Sequence, residues 1–337
     1  MVGMSLGSSY IGRLAPGPRP ARPLPHLRAA APLGRLLLGA ALGHLLALAL
    51  TYAVFVRTHP GQWLDGLLLP RAERGGGYEQ QTVLVGPART VLATFGNPAL
   101  LAALLGAVLL VGALCRRLLA GVMGVGMVVC AVVVAGAVKS LLARPDLQIV
   151  SSSTHNSFPS GHVAAATALL LAFMLVLPAW ARRWLAVPGA AGVAVIASAT
   201  MIAGWHRFSD ALGGVLLGVT LFCLAAAAVA GRRGDTDQGA GPRRAPGGAV
   251  GRRLVEGAVV LAVLLWALLV VMPGLAASVQ PGLLVAIVAV TGATMVAVGS
   301  VVFLVRSADF VAPPGRWQRA QRHVTAGGRD GAAPRRG

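Results

Sequence analysis

Eight apolar runs divide this 337-residue chain: residues 36–56, 97–115, 118–138, 161–180, 185–205, 210–230, 254–272 and 282–305. Each is near the length of about 20 residues that a helix needs to cross a bilayer. Backbone inside lipid must satisfy its own hydrogen bonds, which leaves helices or a closed barrel. The runs lack the in–out alternation of barrel strands. Composition points the same way. Charged residues are 12% of the chain, about half of the ~25% usual in soluble domains. The expected fold class is all-α: a polytopic helical membrane protein with a six-helix core and two further C-terminal transmembrane helices. Three cysteines, Cys115, Cys130 and Cys223, are too few for a disulfide scaffold.

The net charge of +19 resembles a nucleic-acid signal until the charges are located. All but one of the 29 basic residues are arginines, and most lie between or beyond the apolar runs. With the N-terminus placed in the cytoplasm, 22 basic residues fall inside and seven outside, the bias that positive-inside sorting produces. The basic residues are dispersed by topology and the tails lack interleaved aromatics, so nucleic acid is not an expected partner. The expectation is a multi-pass protein of the cell membrane with both termini cytoplasmic. Residues 1–35 form a basic tail, 36–230 a six-span domain, 231–253 a cytoplasmic linker, 254–305 two extra spans, and 306–337 a second basic tail. Residues 1–33 lack the apolar core of a cleavable signal, so the first span reads as an uncleaved signal anchor. Tails and linker, rich in Gly, Arg and Pro, read as disordered. Residues 57–96 form the longest outside loop, in which residues 62–69 read as a short interfacial helix.

The remaining polar residues gather at one face. Lys139, the sole lysine, and Arg144 close the third span; Phe158-Pro159-Ser160-Gly161-His162 opens the fourth; His206-Arg207-Phe208-Ser209-Asp210 opens the sixth. The chain crosses the membrane twice between His162 and His206, so both histidines return to the same side. Pro159-Ser160-Gly161 is a helix start, and its unpaired N–H groups and positive dipole end suit an oxyanion or phosphate. His206 and Asp210 are four apart, so a helix would put the carboxylate beside the imidazole. His155, Asn156 and Ser157 lie just upstream in the outer loop, with His155 read as solvated or structural. His44, mid-span, reads as a helix–helix hydrogen-bonding residue. No cluster of Cys, His or carboxylates suggests a metal, and no cofactor is expected.

These motifs resemble the signature of the type 2 phosphatidate phosphatase superfamily, which also holds vanadium haloperoxidases and bacterial acid phosphatases. The family pattern is K-x6-R-P, then P-S-G-H, then S-R-x5-H-x3-D. The second part is complete as Pro159 to His162, and the H-x3-D as His206 to Asp210, over a resemblance that covers roughly residues 90–230. Two departures stand out. The Arg-Pro of the first part occurs two residues early, as Arg144-Pro145, and a helix continued that far would point Arg144 elsewhere. Arg144 therefore serves only if the helix has ended, which the following proline favours. The Ser-Arg of the third part falls on Ala199 and Thr200, leaving Arg207 as the nearest substitute cation.

The resemblance implies roles. His206 attacks phosphorus, Asp210 orients it, and His162 protonates the leaving alkoxide and later activates water. Lys139, Arg144, Ser160 and Gly161 stabilise the phosphoryl oxygens, with Arg207 a further member. The expected activity is metal-independent hydrolysis of a phosphate monoester or diphosphate on a lipid, phosphatidate-like or polyprenyl, at the outer leaflet. The competing readings are a phosphotransferase on the same site and a non-catalytic lipid-binding protein, for which the arginine missing at Thr200 argues.

Overall fold

The computed structural model describes residues 33–68, 83–149, 155–234 and 279–306. Within them the chain is helical: α1 (Leu33–Thr51), continued by a π turn (Tyr52–Val56), α2 (His59–Leu67), α3 (Val85–Phe95), α4 (Pro98–Leu114), α5 (Leu118–Leu141), α6 (Gly161–Val176), α7 (Ala179–Ile202), α8 (Phe208–Gly234) and α9 (Pro281–Val305). Five helical runs are long and apolar enough to cross a membrane: Leu33–Val56, α5, α7, Phe208–Ala230 and α9. A sixth is added if α3 and α4, bent by 55°, count as one span. The protein is an all-α polytopic membrane protein.

The helix ends follow local chemistry. Thr58 and Asn97 accept from backbone N–H groups of the first turns of α2 and α4, with proline following at the start of each helix. Ser160 does the same for α6, with its Oγ 3.5 Å from the Val163 nitrogen. Most expected spans appear with shifted ends. Lys139 lies in the last turn of α5 rather than beyond it, and the 161–180 run breaks at Leu177-Pro178 into α6 and α7. The stretch read as one long outer loop contains α2 and also α3, whose eleven residues were too short and too polar to register as apolar sequence. His44 differs from expectation. Its Nδ1 lies 2.7 Å from the Ala40 carbonyl one turn back in the same helix, so the imidazole is satisfied without a neighbouring span. The expected span 254–272, residues 1–32 and 307–337 of the tails and residues 235–253 of the linker lie outside the described residues. Residues 33–35 belong to α1 and 231–234 to α8 rather than to a disordered tail and linker.

Helix α6 is the centre. Almost every one of its side chains is buried, and α5, α7 and α8 pack around it. At about 1.5 Å per residue its 16 residues span roughly 24 Å, short of the ~30 Å hydrocarbon thickness. Helix α6 is thus apolar but shorter than the helices long enough to cross a membrane. Helices in lipid gain little from the hydrophobic effect and associate by close packing of small residues. On α8 the small residues are Gly213, Gly214 and Gly218. A Cβ at Gly213 would meet the Phe158 ring at 2.4 Å, at Gly214 the Ser160 carbonyl oxygen at 2.7 Å, and at Gly218 the Thr167 side chain at 2.7 Å. This close approach brings the start of α6 onto the start of α8.

Two buried arginines close the other end of the bundle. Arg117 donates to the Leu177 carbonyl. Arg182 Nε donates to the same carbonyl at 2.8 Å, and its Nη1 to the Val305 carbonyl at 2.9 Å. These guanidiniums neutralise the negative dipole ends of α6 and α9. The packing predicts that Gly214→Ala, by overfilling the α6–α8 contact, destabilises the folded protein by about 1–3 kcal/mol, read as a lower melting temperature in detergent.

Candidate active site

The local chain explains why the polar residues converge. The α7–α8 turn reverses at Gly204, whose φ of 71° suits glycine. The Trp205 and His206 amides then both donate to the Thr200 carbonyl, at 2.9 and 3.2 Å. Helix α8 begins at Phe208, so His206 precedes the helix instead of riding on it. Asp210 nevertheless faces it, with Oδ2 3.5 Å from His206 Nδ1. That oxygen is a hub, accepting from Ser157 Oγ at 2.5 Å and from the Arg207 amide at 2.9 Å. The reach from the third residue of α8 back to the amide before its first is the side-chain half of a capping box. Oδ1 of Asp210 is buried and accepts no hydrogen bond among the described residues.

The start of α6 is bound to this hub through its backbone. The Ser160 amide donates to the Asp210 carbonyl at 2.8 Å. His162 lies one turn into α6, its ring 5.7 Å from that of Trp205, and close enough to His206 and Lys139 for their charges to act on it. The elbow between α3 and α4 borders the same histidine, since a Cβ on Gly96 would lie 3.5 Å from His162 Nε2. Lys139, half-buried at the end of α5, feels the charge of Asp210 in turn.

Arg144 lies past the end of α5, in the extended chain at 143–149, and is buried. Four donors anchor that segment. Tyr52 Oη and Arg57 donate to the Ala143 carbonyl, Gln62 Nε2 to that of Pro145 at 3.0 Å, and Asn156 Nδ2 to that of Leu142 at 2.7 Å. The early Arg-Pro is accommodated because the helix stops at Leu141. Arg207 is also buried, with its guanidinium 3.4 Å from Ser157 Oγ. Thr200, where the family pattern has arginine, is fully buried, and its hydroxyl donates to Ala197. His155 is exposed.

Of the residues singled out in the sequence, His162, His206, Asp210, Ser160, Gly161, Lys139, Arg144 and Arg207 all lie at one end of the bundle, at the α6 and α8 starts, the α5 end and the segment after it. Three further residues join them. Ser157 holds Asp210. Gln62 holds the Arg144 segment. Asp65 is wholly buried and accepts from Ser209 through both the amide, at 3.1 Å, and the hydroxyl. The only sequence signal for Gln62 and Asp65 was their spacing of three, which puts two polar groups on one face of the short α2. Among the described residues no group of three or more His, Cys, Asp or Glu is placed to hold a metal ion.

Residues 119–233 match the family profile of the PAP2 superfamily. That segment, about a third of the chain, is similar to proteins of the family. The match runs from the second residue of α5 to the end of α8, and so contains every residue named from the family pattern but neither Gln62 nor Asp65. Proteins of this superfamily are generally phosphatases, and together with the apolar helices the match indicates a phosphatase-type function at a membrane. No curated protein and no solved structure matches the chain.

Burial, and after it the charge of Asp210, raises the Asp65 carboxyl to about 7, against the lowering effect of the Ser209 hydrogen bonds and of Arg207. Between its ordinary value of 3.8 and about 7 the folded protein holds a proton that the unfolded chain has released. Stability attached to this group is therefore present at low pH and lost as pH rises through that window. Asp65→Asn should flatten the fall in melting temperature between pH 5 and 8 relative to the native chain.

Proposed function

We propose that the protein is a membrane phosphatase that hydrolyses a lipid phosphate monoester or a (poly)prenyl diphosphate at the outer leaflet through a phosphohistidine. The observation that carries this reading is the His206–Asp210 pair, joined to the start of α6 through the Ser160 amide and close to Lys139 and Arg207. Asp210 keeps the proton of His206 on Nδ1, which leaves the Nε2 lone pair free to attack phosphorus. As the N–P bond forms, the ester P–O bond breaks and the leaving alkoxide takes a proton from His162. Water then attacks the phosphohistidine, giving its proton back to His162, and inorganic phosphate leaves with His206 restored. Lys139, Arg144 and Arg207 offset the charge on the phosphoryl oxygens, with the Ser160 hydroxyl and the N–H groups opening α6 as donors. Arg207 supplies the cation that the family pattern places at Thr200.

An apolar tail on the substrate is expected because the site lies at the end of a bundle of apolar helices, where a lipid-borne group can reach it. The outer leaflet follows from the arginine distribution, which favours the end carrying Arg117 and Arg182 on the cytoplasmic side. Cysteine labelling should find the exposed position 155 accessible from outside and the exposed position 183 from inside; cytoplasmic labelling at 155 overturns the leaflet assignment.

A panel of lipid phosphates in detergent, assayed for phosphate release, tests the activity. Lys139→Met should lower turnover more than tenfold, above about 1.4 kcal/mol of barrier. A substrate with a good leaving group needs little from His162, whereas water attack still needs it. With such a substrate His162→Ala should accumulate an acid-labile, alkali-stable labelled enzyme, and His206→Ala should form none. Transfer of the phosphoryl group to an added alcohol in place of phosphate release would make the protein a phosphotransferase.

A further inference from the structure

A helix N-terminus needs acceptors for its first amides, and Ser, Thr, Asp or Asn at the cap usually supplies one. At α8 that position is Arg207, whose side chain has no acceptor. Asp210 satisfies the cap residue's own amide. The next exposed need is the Ser209 amide, and it is met from a distant part of the chain by Asp65 Oδ1 on α2. The other Asp65 oxygen takes the Ser209 hydroxyl. A fully buried carboxylate is costly unless its hydrogen bonds are made, and both oxygens here are committed to the residue preceding Asp210. Helix α2 is itself fixed on the same scaffold, through Gln62 to the carbonyls of Val56 and Pro145.

We propose that Asp65 is a positioning residue for the reaction: it supplies in trans the helix cap that Arg207 cannot give, and so holds the first turn of α8 where His206 and Asp210 face each other. The proposal deepens the phosphatase reading, and its kinetic arm rests on that reading. Placing an arginine at the cap brings a cation to the phosphate but removes the local acceptor; Asp65 restores it from outside the segment matched by the family. The charged groups acting on Asp65 are Asp210 and Arg207 across the contact with α8. Ionisation of Asp65 therefore alters the field at the Asp210–His206 pair as well as the strength of the cap.

The experiment uses the full chain in detergent and compares Asp65→Ala, Asp65→Asn and Ser209→Ala with the native protein. Asp65→Ala should lower kcat roughly tenfold with KM changed less than about twofold, since Asp65 touches no substrate. Asp65→Asn keeps an acceptor oxygen and should recover most of that loss. Ser209→Ala, which removes one hydroxyl and keeps the amide, should lie between. In parallel, 15N spectra of the histidine rings, with His206 assigned by its loss in His206→Gln, should show a pH-dependent step in the His206 signals whose profile differs between the native protein and Asp65→Asn. Unchanged kcat in Asp65→Ala, a change in KM alone, or His206 ring signals identical in native and Asp65→Asn protein would each overturn the proposal. If Asp65→Ala does not fold, Ser209→Ala and the Asp65→Asn spectra decide the matter. A native protein without turnover but with the His206 step would sink the phosphatase reading and leave the coupling standing.

Discussion

One backbone hydrogen bond, from the Ser160 amide to the Asp210 carbonyl, joins the starts of the two helices that carry the chemistry. It forms only because α8 presents Gly213 and Gly214 to the residues preceding and opening α6. With any larger side chain there, the two helix starts would separate by the width of a methyl group. His162 and His206 would then no longer face a common space, and the positive end of α6 would point away from the Asp210 hub. Small-residue packing, ordinary in lipid as a means of association, here also sets the distance between His162 and His206.

Charge is arranged in layers around that joint. Asp210 sits at the centre and takes donors from Ser157 and the Arg207 amide. The cations Lys139, Arg144 and Arg207 come from three different places in the chain. A second carboxylate, Asp65, lies behind the first and is bound to α8 instead of to a cation. Arg117 and Arg182 occupy the opposite end, where carbonyls at the ends of α6 and α9 receive them. Arg117, Arg182 and Arg207 thus each have a carbonyl dipole, a hydroxyl or a carboxylate near them.

The fold class and the motif residues were legible because their signals are local. Apolar length marks a span without reference to any partner, and Pro159 to His162 and His206 to Asp210 are short contiguous patterns. Proline after Arg144 was enough to indicate that α5 had ended. What was illegible depends on distance. Asp65 and Ser209 are 144 residues apart, and nothing near Asp65 announces its partner. Helix α3 escaped notice because its polar residues interrupt the apolar signal while its amphipathic pattern is brief. His44 was misjudged for the opposite reason: its partner, Ala40, was closer than the reading looked.

The contact between Gly282 and the Leu67 carbonyl, where a Cβ would come within 2.2 Å, puts the first turn of α9 against the end of α2. Helix α2 is thereby held by a segment far further along the chain. Because α2 carries both Gln62 and Asp65, the cap of α8 and the anchor of the Arg144 segment lean on a helix that follows the family-matched residues. A growing chain that has completed residues 119–233 holds every residue of the family pattern, yet has not been given the support that α9 lends to α2. The placing of Gln62 and Asp65 is consequently tied to a helix that holds none of the family-pattern residues.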